Sequence, residues 1–120
     1  MSKNPNNDLQ EILRPIESLI SKSEKAQQKL TPGSWQHSMV RDNLKALHIA
    51  YSLINKEDNE TSGFTCIDLQ DALKTLDALI SKVEKTQSRF LPGTSQYTLQ
   101  RNRLKSLHIA SETISAFLVG

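Results

Sequence analysis

Two short stretches of the chain carry arginine, lysine and histidine at the same spacing. The six residues are Arg41, Lys45, His48, Arg101, Lys105 and His108. A spacing of i, i+4 and i+7 places three side chains on one face of a helix, because successive residues are rotated by about 100°. A histidine, whose ordinary pKa is about 6.5, can accept a proton from a ribose 2′-hydroxyl, and arginine and lysine can bind phosphate. The alternative is an ordinary solvated helix face.

Each stripe lies within a motif that starts with Arg, continues with Asp or Asn, and ends with His after five more residues, at 41–48 and 101–108. The motif resembles the signature of the HEPN superfamily, which consists of helical-bundle domains, many of them metal-independent ribonucleases. The resemblance implies that side chains of both motifs line one shared cleft, with histidines transferring protons and arginines binding phosphate. The residues implied as catalytic are Arg41, His48, Arg101 and His108. Lys45 and Lys105 lie between them and are candidates for binding phosphate or another anion.

Both motifs are parts of a longer internal repeat. Residues 9–54 and 69–114 align without a gap, and 21 of the 46 aligned positions are identical. In each copy, apolar residues at helical spacing predict two helices joined by a short Pro-Gly segment. Each Pro-Gly segment ends in a residue that suits the N-cap of the following helix, Ser34 or Thr94.

The repeat predicts an all-α protein, a four-helix bundle made of two tandem, internally duplicated antiparallel helical hairpins. The first hairpin is expected at residues 8–54 and the second at 68–118, with a polar linker at 55–67 and a disordered N-terminus at 1–7. Because 120 residues is the size of one domain, we expect the two hairpins to pack together as one compact unit.

The first helix of each hairpin starts acidic and ends basic, as the helix dipole favours. Asp8 and Asp68 are the predicted N-caps, and each is followed three residues later by an acid, Glu11 or Asp71, in a variant of the capping box. Pro15 falls inside the first helix and is expected to kink it or delay its start, because proline lacks a backbone N–H.

A second apolar stripe lies beside the main one on the second helix of the first hairpin. Its candidate partner-contact residues are Trp35, Met39, Ile49 and Leu53. The second copy keeps apolar residues at only two of the corresponding positions, Leu99 and Ile109. A bundle helix usually contacts two neighbours, so core packing is the favoured interpretation and a surface for a partner is the alternative.

The composition limits the classes of function. With 15 Lys and Arg against 13 Asp and Glu, the net charge of +2 is too small to favour nucleic-acid binding. No segment approaches the roughly 18 apolar residues of a membrane span. The single Cys66 allows no internal disulfide, which is typical of the reducing cytoplasm. Three histidines and one cysteine do not form a zinc set, and no Gly-rich phosphate loop is present, so we expect no metal and no cofactor.

The leading hypothesis is a small cytoplasmic, non-catalytic interaction or assembly module, whose partner is an unknown protein or a second copy of the chain. The alternative is a HEPN-like metal-independent ribonuclease or RNA-binding protein. A helix-turn-helix is less favoured, because it requires a short first helix. In that motif the residues that contact DNA would be Gln96, Tyr97, Gln100, Arg101 and Arg103.

Overall fold

The computed structural model describes residues 5–55 and 63–119, with side chains from residue 8 onward. This part of the chain contains four helices and no strand, so the protein is all-α. The helices are α1 (Pro5–Gln28), α2 (Trp35–Asn55), α3 (Cys66–Gln87) and α4 (Ser95–Val119).

Helix α1 begins earlier than the sequence predicts. It starts at Pro5, so residues 5–7 are helical, whereas the sequence predicts a disordered N-terminus there. Residues 1–4 lie outside the described part of the chain. Proline suits the first helical position because the N–H it lacks has no partner within a helix there. Asp8 is therefore a residue of the first turn and not the N-cap. The helix continues through Pro15, where the carbonyl of Glu11 loses its usual backbone donor.

Helix α3 is capped by Thr65 and not by Asp68. The Thr65 hydroxyl accepts a hydrogen bond from the Asp68 N–H at 3.0 Å, and the Asp68 carboxylate accepts one from the Thr65 N–H, also at 3.0 Å. This reciprocal capping box satisfies two backbone donors at the start of α3. Residues 55, 66 and 67, which were assigned to the linker, are therefore helical. Linker residues 56–62 lie outside the described residues.

The turns within the two hairpins have the same construction. The Ser34 hydroxyl accepts a hydrogen bond from the His37 N–H, and the Thr94 hydroxyl accepts one from the Tyr97 N–H, each at 3.2 Å. These contacts confirm the two predicted N-caps. Gly33 and Gly93 have φ angles of 90° and 93°, a left-handed conformation that side chains with a Cβ rarely adopt.

The helices pack into two hairpins, and each of the main contacts between the hairpins involves α2 or α4. Helix α1 packs against α2 and α3 against α4, while α2 also packs against α3, and α4 against α1. Helices α2 and α4 also touch each other across the middle. The molecule measures 38 × 38 × 23 Å.

The core runs through all four helices. The largest of its fully buried side chains are Ile16, Leu47, Ile49, Leu76, Leu107, Ile114 and Ser106. Leu47 and Leu107, which occupy the same position in the two sequence copies, are both 0% exposed.

Candidate functional site

The arginine, lysine and histidine stripes lie on the solvent-facing sides of α2 and α4. All six side chains are exposed: Arg41, Lys45, His48, Arg101, Lys105 and His108. Arg41 contacts the neighbouring Asp42 at 3.8 Å, and both side chains are more than half exposed. An ion pair of this kind contributes little to stability or to positioning.

Two grooves run between helices that belong to different hairpins. The α2–α3 groove has a volume of about 340 Å³ and is lined by Asp42, Lys45, Ala46, Ile49, Asp68, Asp71, Ala72, Lys74 and Thr75. The α1–α4 groove has a volume of about 720 Å³ and is lined by Asp8, Glu11, Ile12, Arg14, Pro15, Ser18, Leu99, Asn102, Lys105 and Ser106.

The lysines of the two stripes border different grooves. Lys45 lines the α2–α3 groove and Lys105 lines the α1–α4 groove. The four residues implied as catalytic line neither of them: Arg41, His48, Arg101 and His108. Neither described groove is thus a cleft shared by the two motifs.

Lys45 binds the capping carboxylate of α3. Its ammonium group donates a hydrogen bond to Asp68 at 3.0 Å. The pKa of Asp68 is lowered, first by the hydrogen bond from the Thr65 backbone and then by the bond from Lys45. Lys45 therefore links α2 to the start of α3 in this structure. This is a structural role, whereas the sequence predicts that Lys45 binds a phosphate or another anion.

Replacing Asp68 with asparagine is expected to destabilise the protein at neutral pH and to have a smaller effect in acid. The pKa of the folded protein's Asp68 lies below the ordinary value of about 3.9, so its stabilising contribution is present above that value. The contribution is lost as the pH falls through the lowered pKa of the folded state. Urea unfolding of the native protein and Asp68→Asn between pH 7 and pH 3 measures the change. Asp71→Asn, which removes an exposed acid one turn along, is the matched control. An Asp68→Asn effect independent of pH would contradict the assignment.

The second apolar stripe of α2 divides into a buried part and an exposed part. Ile49 and Leu53 are 2% and 4% exposed and belong to the core of the bundle. Trp35 and Met39, in the first turns of α2, are 70% and 41% exposed. Of the four stripe residues, only Trp35 and Met39 are exposed enough to contact a partner in the described structure.

Each hairpin end combines exposed apolar side chains with positive charge. We define the hairpin ends as residues 25–41 and 85–101, which run from the last turn of one helix through the turn into the next. Neither contains an acidic residue. Their basic residues are Lys25, Lys29 and Arg41 in the first and Lys85, Arg89 and Arg101 in the second. In the second end, Leu91 is 76% and Leu99 is 42% exposed.

Arg103 on α4 is a buried cation, although the helix-turn-helix alternative predicts an exposed DNA-contact residue at this position. The residue is 8% exposed, and its guanidinium donates one long hydrogen bond, to the Ser18 hydroxyl at 3.4 Å. The Nε atom is buried and has no hydrogen-bond partner. Burial lowers the pKa of Arg103. Arg103 stands four and seven residues before Leu107 and Ala110, which is the spacing of the core stripe. This spacing indicates a buried position, although arginine is a residue type that is usually exposed.

The burial of Arg103 also bears on the helix-turn-helix alternative. Gln100 is 7% exposed, so two of the proposed DNA-contact residues face the interior. Helix α3, which would be the short first helix of that motif, has 22 residues. These observations argue against DNA recognition by α4.

Comparison with protein-family models, with curated proteins and with solved structures gave no match to this chain. The HEPN resemblance therefore rests on the motifs at 41–48 and 101–108 alone. Within residues 5–55 and 63–119, no three His, Cys, Asp or Glu side chains are grouped so that they could hold a metal ion. None of the helices in that part is long and apolar enough to cross a membrane.

Proposed function

We propose that this protein is a non-catalytic interaction module that binds an acidic, partly apolar segment of a partner protein through its hairpin ends. The observation that carries the proposal is the exposure of large apolar side chains in segments whose only charges are positive. Trp35 is 70% exposed in the first hairpin end, and Leu91 is 76% exposed in the second.

Trp35 has the properties of an interface anchor. Tryptophan is enriched among the few residues that dominate binding energy in protein interfaces. An exposed tryptophan one helical turn from Met39 offers an apolar contact that a partner can cover. Met39 in the first hairpin end and Leu91 and Leu99 in the second favour a protein partner over a nucleic acid, because apolar side chains gain most from a dry contact.

The charge distribution favours an acidic partner. The two hairpin ends hold six of the 15 basic residues, and all 13 Asp and Glu lie elsewhere in the chain. The net charge of +2 is therefore the sum of two positively charged hairpin ends and an excess of acidic residues in the rest of the chain. Such surfaces steer an acidic partner toward the exposed apolar side chains and repel basic ones.

A designed helical peptide with leucine on one face and glutamate on the other tests the proposal. The matched probe has glutamine in place of each glutamate. Trp35 is the only tryptophan, so its fluorescence emission reports directly on the first hairpin end. We expect the acidic peptide to shift the emission to shorter wavelength and to bind at least tenfold more tightly than the glutamine peptide.

Two serine variants make the test specific. Trp35→Ser, measured by calorimetry, is expected to weaken peptide binding by about 30-fold, the effect of losing a typical interface anchor. Ile67→Ser is the control, because Ile67 is equally exposed at 68% but lies at the start of α3. Unchanged binding in Trp35→Ser would refute the proposal, as would tighter binding of a single-stranded RNA than of the acidic peptide.

The ribonuclease alternative has less support from the geometry. Its four implied catalytic side chains are exposed and line neither described groove, whereas proton transfer needs groups held within hydrogen-bond reach of the substrate. RNA cleavage in EDTA by the native protein, and not by His48→Ala/His108→Ala, would replace the interaction module with this alternative.

We further propose that the chain is a tandem duplication of one hairpin, with the two copies related by a pseudo-twofold axis. The gapless alignment of 9–54 with 69–114 and the matching φ angles of Gly33 and Gly93 support this. The two grooves are also lined by residues 60 positions apart, for example Lys45 and Lys105. Equivalent core positions should then make equal contributions to stability.

We infer a cytoplasmic location from the state of the cysteine. Cys66 is exposed and unpaired at the start of α3. An exposed free thiol is most compatible with a reducing compartment.

A further inference from the structure

The two grooves between the hairpins are lined by matching sequence positions, but only one of them is bridged by an ion pair. Every residue that lines the α2–α3 groove, except Ile49, stands 60 positions from a residue that lines the α1–α4 groove. Lys45 bonds Asp68 at 3.0 Å in the first groove, whereas the corresponding Lys105 and Asp8 form no ion pair with the described residues. The α1–α4 groove is also the larger, at about 720 Å³ against about 340 Å³.

The start of α1 leaves two carboxylates available at the α1–α4 groove. The Asp68 carboxylate is held by the Thr65 N–H as well as by Lys45. Proline stands at the position that corresponds to Thr65, and it has no N–H that could hold Asp8 in the same way. Asp8 and Glu11 are exposed, line the groove and form no ion pair with the described residues. They are therefore free to pair with a bound cation.

The α1–α4 groove also offers apolar surface. Ile12 and Pro15 on α1 are half-buried, and Leu99 on α4 is 42% exposed. The volume of the groove lies within the range of roughly 300–1,000 Å³ that is typical of binding clefts. Its two cations, Arg14 and Lys105, balance the two acids, so the groove does not repel a positive neighbour as a hairpin end would.

The first hairpin end has complementary features. Trp35 and Met39 lie one turn apart on α2, so the two exposed side chains project from one helix face. Residues 25–41 also carry three basic residues and no acid. The hairpin end shares no residue with the α1–α4 groove, and Asp8 and Lys25 are roughly 25 Å apart along α1 at 1.5 Å per residue. One chain can therefore use both surfaces at once.

We propose that this protein assembles head to tail, with the first hairpin end of one copy bound in the α1–α4 groove of the next. Trp35 and Met39 contact the apolar lining of the groove, and the basic residues of the hairpin end pair with Asp8 and Glu11. Such a contact is heterologous, so it extends into a ring or a fibre and does not stop at a twofold dimer. The inference rests on the interaction function proposed above, because it names a second copy as the partner of the first hairpin end.

Sedimentation velocity of the native protein over a range of concentrations tests the proposal. We expect the weight-average mass to rise to more than twice that of the monomer at high protein concentration and low salt. The mass should fall again in about 0.5 M sodium chloride, because salt screens the charge pairs. A native protein that is monomeric throughout, or that stops at a dimer, would refute the proposal.

Two variants, each altered on one of the two surfaces, should be monomeric. They are Trp35→Ser, which alters the hairpin end, and Asp8→Lys/Glu11→Lys, which alters the groove. Asp71→Lys/Asp77→Lys is the matched control, because it makes the same change of charge at exposed residues of α3, and it should assemble as the native protein does.

Mixing the two monomeric variants separates an end-to-groove contact from an end-to-end one. Trp35→Ser keeps an intact groove, and Asp8→Lys/Glu11→Lys keeps an intact hairpin end. A 1:1 mixture should therefore form a complex of one copy of each variant, which doubles the mass and grows no further. Monomers in the mixture, or assembly of the groove variant by itself, would overturn the proposal.

The acidic peptide described above distinguishes failure of this inference from failure of the proposed function. The groove variant retains Trp35, so the peptide should bind it as tightly as it binds the native protein. Peptide binding by a native protein that stays monomeric would refute self-assembly alone. Failure of the peptide to bind either protein would refute the proposed function, and the inference with it.

Discussion

Leu107→Ala is expected to lower the free energy of unfolding by about 3 kcal/mol, and Leu47→Ala by the same amount. Both side chains are 0% exposed, one on α4 and one on α2, where these helices meet the rest of the core. Each substitution removes buried apolar surface and leaves a cavity that the surrounding helices fill only in part. The equality of the two values follows from the proposed pseudo-twofold relation, because equivalent positions then have equivalent neighbours.

Urea denaturation followed by circular dichroism at 222 nm measures both variants. Leu91→Ala is the control, since Leu91 is 76% exposed in the turn before α4 and its truncation should cost less than about 0.5 kcal/mol. Values for Leu47→Ala and Leu107→Ala that differ by more than about 1.5 kcal/mol, over half of the range that buried Leu→Ala substitutions span in one protein, would contradict the equivalence of the hairpins.

Arg103→Leu is expected to raise the free energy of unfolding by about 1–3 kcal/mol. The native guanidinium is removed from solvent with one long hydrogen bond and no carboxylate among the described residues to offset the loss of hydration. The lowered pKa of Arg103 has the same cause, because burial disfavours the charged form. Leucine fits the spacing of the stripe that continues through Leu107 and Ala110.

Chemical denaturation of Arg103→Leu beside Lys105→Leu measures this effect. Lys105 is an exposed cation on the same helix, and its replacement should change stability by less than about 0.5 kcal/mol. A loss of stability in Arg103→Leu would mean that the arginine contributes more through packing and its bond to Ser18 than its burial costs.

The helical architecture could be predicted because local chemistry and apolar periodicity agree along most of the chain. The Pro-Gly turns fix where two helices end, and Ser34 and Thr94 each cap the next one. The start of α3 is harder to predict from the sequence than the starts of α2 and α4, because Thr65 and Asp68 are both good N-caps. The reciprocal bonds between them decide in favour of the earlier residue.

Periodicity alone could not divide the second stripe of α2. Trp35 and Ile49 share one helix face, so their spacing predicts the same environment for both. Their exposures of 70% and 2% differ because neighbouring helices cover only part of that face. The burial of Arg103 could not be predicted either, because its position belongs to the core stripe whereas its residue type is typical of a surface.

The pattern of contacts among the four helices has a consequence for the order in which the protein opens. Helices α2 and α4 pack against each of the other helices, whereas α1 and α3 pack mainly on α2 and α4. Amide hydrogens in the middle of α2 and α4 should therefore exchange with solvent only when the whole molecule unfolds, and those of α1 and α3 through smaller, local openings. We therefore expect α2 and α4 to be the last helices to unfold, and α1 and α3 to separate from them first.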